Sequence, residues 1–257
     1  MSRSNGRVGI DTLIRTLASP PAEFSWAWAL ERPASEPLNT RVLPAFALEM
    51  NTPPRADELI LWFGVPGTGD WKNLRIYLSD DERERASSFR FEADRWSFAA
   101  AHAGLRILLA PMMACAPQAL RFAADANGKP RLDPARHGVS VQFNISHARG
   151  CVAIALAGAP VGIDVERRRA LPDLMAVAQI AFAPEACRAL AARSGQAART
   201  ALFYRYWTLG EAFIKATGEG IAQGLNSFAF TEEGAPMLMR VSGDWGPLGR
   251  WRFFCEP

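Results

Sequence analysis

Residues 207–220 read Trp207-Thr-Leu-Gly-Glu211-Ala-Phe-Ile-Lys215-Ala-Thr-Gly218-Glu-Gly220, and this stretch decides the fold. Phe203, Trp207, Phe213 and Ile214 lay down an apolar face at helical spacing, while Glu211 and Lys215 stand one turn apart on a common side. Gly218 and Gly220 predict the end of the helix. A Glu-to-Lys pair at i,i+4 is by itself a routine surface feature worth about 0.3–0.5 kcal/mol. Its apolar surroundings and the glycines that follow give it a second reading, in which Glu211 completes a metal site or accepts a proton. Gly210 is an anomaly inside a helix, where glycine costs about 1 kcal/mol relative to alanine, and it predicts close approach of a backbone or ligand.

Working outward, Val161-Gly-Ile-Asp164-Val-Glu166 reads as a strand, and its period of two points both carboxylates to one face. Two hard oxygen donors on one face suit Mg²⁺. The plainer alternative is a solvated strand end paired with Arg167, Arg168 or Arg169. Further upstream, Asn144-Ile-Ser146-His147 closes a strand begun at Val141, just before Gly150. Serine, imidazole and backbone N–H groups there form a candidate anion site, against the alternative of a structural histidine. Ser146 has no Gly-x-Ser-x-Gly elbow and is adjacent to His147, which argues against a Ser-His-Asp hydrolase. Lys129, in Asn127-Gly128-Lys129-Pro130, is a turn lysine with anion binding as its second reading.

The other elements fall around these. Glu58–Trp62 predicts a strand, and Ser79-Asp-Asp-Glu82 has capping-box spacing ahead of a short charged helix. A longer helix is expected over 93–110, stopped by Pro111, with strands at 121–123 and 151–156. Helices over 173–192 and 198–217 and strands at 228–230 and 250–254 complete the order. Strand, helices, strands, then strand, helices, strands suggest an α+β fold of two similar halves, 50–157 and 158–257. Residues 1–49 carry Pro20, Pro21, Pro33, Pro37 and Pro44 without sustained periodicity. They read as a poorly ordered, dispensable extension with one short helix over Val8–Leu17, and Met50 as the natural start.

Composition narrows the function classes. A hydrophobic fraction of 49% over 257 residues supplies an ample core. A net charge of +3 is too mild for nucleic-acid binding, yet it suits an anionic small molecule or an acidic protein partner. Cys115, Cys151, Cys187 and Cys255 are widely separated, signalling neither a zinc site nor a disulfide framework, so a reduced cytoplasm is expected. No apolar run approaches the roughly 20 residues of a membrane span.

In combination these motifs resemble the 4′-phosphopantetheinyl transferase family, in its surfactin-type, single-chain branch. The matching elements in order are Gly128-Lys129-Pro130, Phe143-Asn144-Ile-Ser146-His147, Gly162-Ile-Asp164-Val-Glu166 and Trp207–Gly220. The likeness runs from about residue 57 to 230, with Glu84-Arg85-Ala and Phe89–Arg95 similar to the family's first-half helices. It implies two pseudo-symmetric halves with the active site in the cleft between them. It also implies transfer of the 4′-phosphopantetheine arm of coenzyme A to a serine hydroxyl of an apo acyl or peptidyl carrier protein, releasing adenosine 3′,5′-bisphosphate. By the same resemblance Asp164, Glu166 and Glu211 hold Mg²⁺, and Glu211 takes the serine proton. Lys215 stabilises charge on the phosphate under attack, and Arg85, Lys129, Ser146 and His147 hold other phosphate groups. A cytoplasmic monomer is expected, with no nucleic-acid or membrane partner. Gly210 stands where the family pattern has lysine, which leaves one phosphate-facing charge missing and predicts that lysine there preserves or raises activity. Two other classes stay open: a coenzyme A or carrier-binding module that has lost catalysis, and a Mg²⁺-dependent phosphohydrolase.

Overall fold

Val161, Ile163 and Val165 alternate with Gly162, Asp164 and Glu166, and the segment forms an edge strand, Val161–Arg167. The structure is a computed structural model that describes residues 10–44, 50–138, 141–243 and 246–256. Its strands in chain order begin with β1 (Ile14–Leu17), β2 (Phe24–Leu30), β3 (Asn39–Val42), β4 (Glu58–Pro66), β5 (Phe122–Ala124) and β6 (Pro130–Leu132). They continue with β7 (Gln142–Ala148), β8 (Cys151–Ala157), β9 (Val161–Arg167), β10 (Phe228–Phe230), β11 (Leu238–Val241) and β12 (Arg252–Glu256). The helices are α1 (Ile10–Leu13), α2 (Asp80–Ser88), α3 (Glu92–Leu109), α4 (Pro134–His137), α5 (Leu174–Ala181), α6 (Pro184–Ala192) and α7 (Gln196–Thr217).

Two sheets form the centre. In the first, β4, β8 and β7 pair antiparallel, and β4 also carries β1 antiparallel and β3 parallel. The second has the order β12-β2-β9 and is antiparallel throughout. Trp26, Trp28, Leu61, Phe63, Ile163 and Val165 share the core between the sheets, with the Trp26 and Phe63 rings 4.7 Å apart edge to face. Outside the first sheet α3 buries Leu105 and Leu108 with Trp62 and Ile154. Outside the second, α7 buries Leu209 and Phe213 with Ala27, Ala29 and Phe253. The layering is helix, sheet, sheet, helix, a mixed α+β fold. No helix among the described residues is long and apolar enough to cross a membrane.

The sheets meet at their edges, β7 on β9, and a strand edge leaves N–H groups that burial obliges to find partners. Side chains of β7 supply them. The Ile163 N–H donates to Asn144 Oδ1 at 2.9 Å, and the Val165 N–H donates to Ser146 Oγ at 3.3 Å.

Residues 10–44 are not the extension their prolines suggest. Every residue of β2 is buried, and β2 is the central strand of the second sheet, pairing Ser25 with Glu166, Ala27 with Asp164 and Ala29 with Gly162. Phe24–Leu30 is an apolar run free of proline and bounded by Pro20, Pro21 and Pro33, which is how a strand buried on both faces reads. Strands on both sides of Met50 share sheets, so no boundary falls there. The expected short helix is one turn, α1, followed directly by β1, and Val8 lies outside the described residues with the rest of 1–9 and 45–49. The segment 173–192 is two helices, because Pro184 opens α6 and holds Ala183 extended.

The capping box forms as its spacing predicts, Ser79 and Glu82 each bonding the other's backbone N–H. Glu82 also accepts from Arg106 Nε at 2.6 Å and pairs with His102 Nδ1 at 3.1 Å. Burial opposes its charge, but hydrogen bonds from His102 and then Arg106 outweigh it and hold the carboxyl down to about 2 from the ordinary 4.5. The unfolded chain binds this proton more readily, so the stabilisation is complete above about pH 4.5 and is lost as pH falls toward about 2.

Two outcomes are expected. Removing residues 1–49 strips out β2, and the truncated chain should be insoluble or lose its near-UV circular dichroism; a soluble, cooperatively unfolding, active truncation would overturn the assignment of β2. Glu82→Gln should lower Tm at pH 7, with the deficit shrinking steadily between about pH 4.5 and about pH 2. A deficit that is constant with pH would show that its charge is not what stabilises.

Candidate active site at the contact of β9 and α7

Gly162 sets the geometry. A Cβ built there would lie 2.0 Å from the Ala212 carbonyl oxygen and 2.5 Å from the Ala216 N, so α7 rests on β9 at a distance only glycine permits. This close approach carries Glu211 and Lys215 to the β9 face that holds Asp164 and Glu166. Gly218, in the left-handed conformation with φ 78°, stops the helix directly after Thr217.

Asp164 is 3% exposed. Its Oδ1 accepts from Lys215 Nζ at 2.6 Å and from Ser146 Oγ at 2.9 Å, and Lys215 Nζ reaches the same Ser146 Oγ at 3.2 Å. With the Val165 N–H, this fills the one donor and two acceptor places of the Ser146 hydroxyl. Ser146, expected to hold a phosphate, is thus committed to joining strand, carboxylate and ammonium. Asp164 Oδ2 is buried without a hydrogen-bond partner.

Glu166 and Glu211 feel this surplus of negative charge. Burial and then the Asp164 charge push Glu166 up to about 7, with Glu211 adding and Lys215 opposing. Burial raises Glu211 too, Lys215 opposes, and Asp164 adds. Among the described residues no three His, Cys, Asp or Glu side chains converge closely enough to enclose a metal ion as they stand, and the Lys215 ammonium occupies one oxygen of Asp164. The donor set nevertheless fits a hard divalent cation: three carboxylates, two of them, Glu166 and Glu211, with raised proton affinity, and one buried oxygen of Asp164 left unpartnered.

The His147 ring is exposed, yet crowding by protein, then the His102 and Lys215 charges, lowers it to about 4, so the imidazole is neutral at pH 7. Lys129 is placed elsewhere: its Nζ donates to the carbonyls of Ala216 at 3.1 Å and Val161 at 3.3 Å, bracing the last turn of α7 against the start of β9. Burial lowers it to about 8. Arg85 lies on α2, its guanidinium 5.4 Å from the Phe89 ring centre, and contributes nothing to the carboxylate group.

Sequence reading missed a cleft of ≈ 880 Å³ beside Glu166 and Trp207, lined by Arg149, Arg167, Arg168 and Arg169. Arg149 pairs with Asp94, and Arg168 donates to the Ala22 carbonyl. Arg167 and Arg169 make no ion pair among the described residues, so the plain reading of Asp164 and Glu166 as partners of these arginines does not hold. The Arg167-Arg168-Arg169 run at the end of β9 was the available signal. Gly210 does not face the carboxylates either. A Cβ there would lie 2.4 Å from Leu225 Cδ2 and 3.2 Å from the Phe228 ring, on the apolar side of α7.

Comparison with known proteins agrees with this arrangement. Residues 160–247 match the 4′-phosphopantetheinyl transferase superfamily, and residues 63–159 match the family described as 4′-phosphopantetheinyl transferase, N-terminal. A Synechocystis sp. protein provisionally named a 4′-phosphopantetheinyl transferase is 35% identical over 182 residues, covering 70% of this chain and 72% of its own. The 4′-phosphopantetheinyl transferase HetI of Nostoc sp. is 33% identical over 65% of this chain and 72% of its own. The 4′-phosphopantetheinyl transferase psf-1 of Bacillus pumilus is 32% identical over 65% and 70%. On this similarity, with Asp164, Glu166, Glu211 and Lys215 gathered at one contact, the chain belongs to the 4′-phosphopantetheinyl transferase superfamily.

Proposed function

We propose that this enzyme uses the contact of β9 and α7 to transfer the 4′-phosphopantetheine arm of coenzyme A to a serine hydroxyl of an apo acyl or peptidyl carrier protein. The observation that carries the reading is a carboxylate trio with an unpartnered buried oxygen and an ammonium held beside it. Asp164, Glu166 and Glu211 would hold Mg²⁺, which when bound supplies neutralising charge for the pyrophosphate.

The chain's own residues account for the rest. Glu211, with proton affinity raised by burial and Asp164, is a better base than a solvated carboxylate and takes the proton of the carrier serine. The serine oxygen forms a bond to the phosphorus that bears pantetheine. The bond from that phosphorus to the bridging oxygen breaks, and adenosine 3′,5′-bisphosphate leaves with the electron pair. Lys215, fixed by Ser146 and Asp164, places its charge where negative charge builds on the phosphate. Neutral His147 donates one ring N–H to a phosphate oxygen. Arg167 and Arg169 offer the cleft's cationic wall to coenzyme A or to an acidic carrier.

Of the expected cofactor contacts, His147 and Lys215 are retained. Ser146 serves by holding Asp164 and Lys215 and Lys129 by bracing α7, while Arg85, on α2 away from the carboxylates, is left as a contact to a remote phosphate of coenzyme A. The reading includes a cytoplasmic monomer without nucleic-acid or membrane partners, in keeping with a charge of +3, four unpaired cysteines and a site completed by one chain.

Incubation with coenzyme A, Mg²⁺ and a panel of apo carriers, followed by mass measurement of the carriers, tests the reading. One added phosphopantetheine per carrier is expected; binding without mass gain would indicate a binding module, and coenzyme A cleavage without a carrier would indicate a hydrolase. Glu211→Gln should lower turnover by about 10²-fold or more with Tm retained, and full turnover would remove Glu211 from proton transfer. Gly210→Lys should cost about 1–3 kcal/mol of stability through overpacking and leave turnover no higher. A stable variant with faster transfer would show that a side chain at 210 reaches the phosphates.

A further inference from the structure

Among the described residues four buried side-chain nitrogen or oxygen atoms lack a hydrogen-bond partner, and two of them, Ser25 Oγ and Asp164 Oδ2, lie on adjacent strands. Ser25 is 0% exposed. Along β2 the residues Phe24, Trp26, Trp28 and Leu30 face the core between the sheets, while Ala27 and Ala29 face α7. Alternation therefore turns Ser25 toward α7, the face that carries Asp164 and Glu166 on β9.

The register makes the juxtaposition specific. Ser25 lies directly opposite Glu166, and Ala27 directly opposite Asp164. Residues opposite one another in an antiparallel pair bring their Cβ atoms to about 4.5–5.5 Å, within reach of a hydroxyl and a carboxylate. On α7, Thr208 Oγ1 donates to the Tyr204 carbonyl at 2.9 Å and stands 3.8 Å from Cys255 Sγ, and the Trp207 side chain hydrogen-bonds the Glu166 carboxylate, so Ser25 would add a second donor to it. Small residues, Ala27 and Ala29, occupy the rest of that face of β2, so a serine among them is not filling volume that alanine could not fill.

We propose that Ser25 is a positioning residue of the active site: its hydroxyl, unpartnered without a cation, donates to the Glu166 carboxylate when that carboxylate turns to ligate a divalent cation. Ser25 comes from the segment ahead of both family matches, which start at residues 63 and 160. The inference rests on the reading that Asp164, Glu166 and Glu211 form a cation site. A hydrogen bond from a second group fixes the direction of a ligating oxygen, and loss of such a group characteristically weakens metal binding by about 10–100-fold.

Mn²⁺, which takes the same oxygen ligands and is visible by electron paramagnetic resonance, is the probe. It is titrated into the full chain with coenzyme A present. Ser25→Ala and Ser25→Cys are compared with wild type, the first deleting the hydroxyl and the second keeping its volume with a much weaker donor. Both are expected to bind Mn²⁺ about tenfold or more weakly, with metal-free Tm unchanged or slightly raised because a buried unpartnered hydroxyl has been removed. Unchanged affinity in Ser25→Ala would sink the inference, as would wild-type affinity in Ser25→Cys, which would reduce Ser25 to packing. Should Ser25→Ala fail to fold, the Ser25→Cys titration decides alone. Wild-type chain that binds no Mn²⁺ would remove the cation site itself, and Ser25's role with it.

Discussion

Two N–H groups at the edge of β9 tie the two sheets to each other where their edges meet. They would be buried without partners where the sheets meet, and Asn144 Oδ1 and Ser146 Oγ accept them. The seam is made of side chains reaching from one strand to the backbone of another, so the spacing of Asn144 and Ser146 fixes the register of one sheet against the other. Ser146 then hands this register on: its hydroxyl donates to Asp164 and receives Lys215. A serine-histidine segment that invites reading as an anion site is first the seam that aligns the two sheets. The chemistry at Asp164 inherits its geometry from that alignment.

The electrostatic character of the site follows from packing at Gly162. A helix lying on a strand at backbone contact brings Glu211 close to Asp164 and Glu166, and their partial burial weakens the screening between them. One lysine is not enough to balance three carboxylates. The imbalance raises the proton affinity of Glu166 and Glu211, the property on which the proposed roles of this site rest.

Much of this was legible in the chain. Period-two alternation at 161–166 put Asp164 and Glu166 on one face, and helical spacing put Glu211 and Lys215 over them. The Ser79–Glu82 box formed as spelled. What failed was non-local. Phe24–Leu30 is as apolar as a buried strand should be, but its partners, β9 and β12, lie more than a hundred residues away, and the surrounding prolines drew the eye to disorder. Gly210 misled for a similar reason: its place in a motif suggested a direction, whereas the direction belongs to Leu225 and Phe228, which the motif does not contain.

The central place of β2 has a consequence for synthesis. This strand leaves the ribosome early, with Trp26 and Trp28 exposed, while β9 and β12 are still to be made. At roughly 5–20 residues per second, an unpartnered apolar strand persists for on the order of ten seconds before β9 arrives, and longer before β12 flanks it. The nascent chain therefore passes through a state with two tryptophans and open strand edges in water, the kind of surface that chaperones hold and that crowded nascent chains misuse. The sheet that carries Asp164 and Glu166 is completed only when β2 is joined by two strands made more than a hundred residues after it.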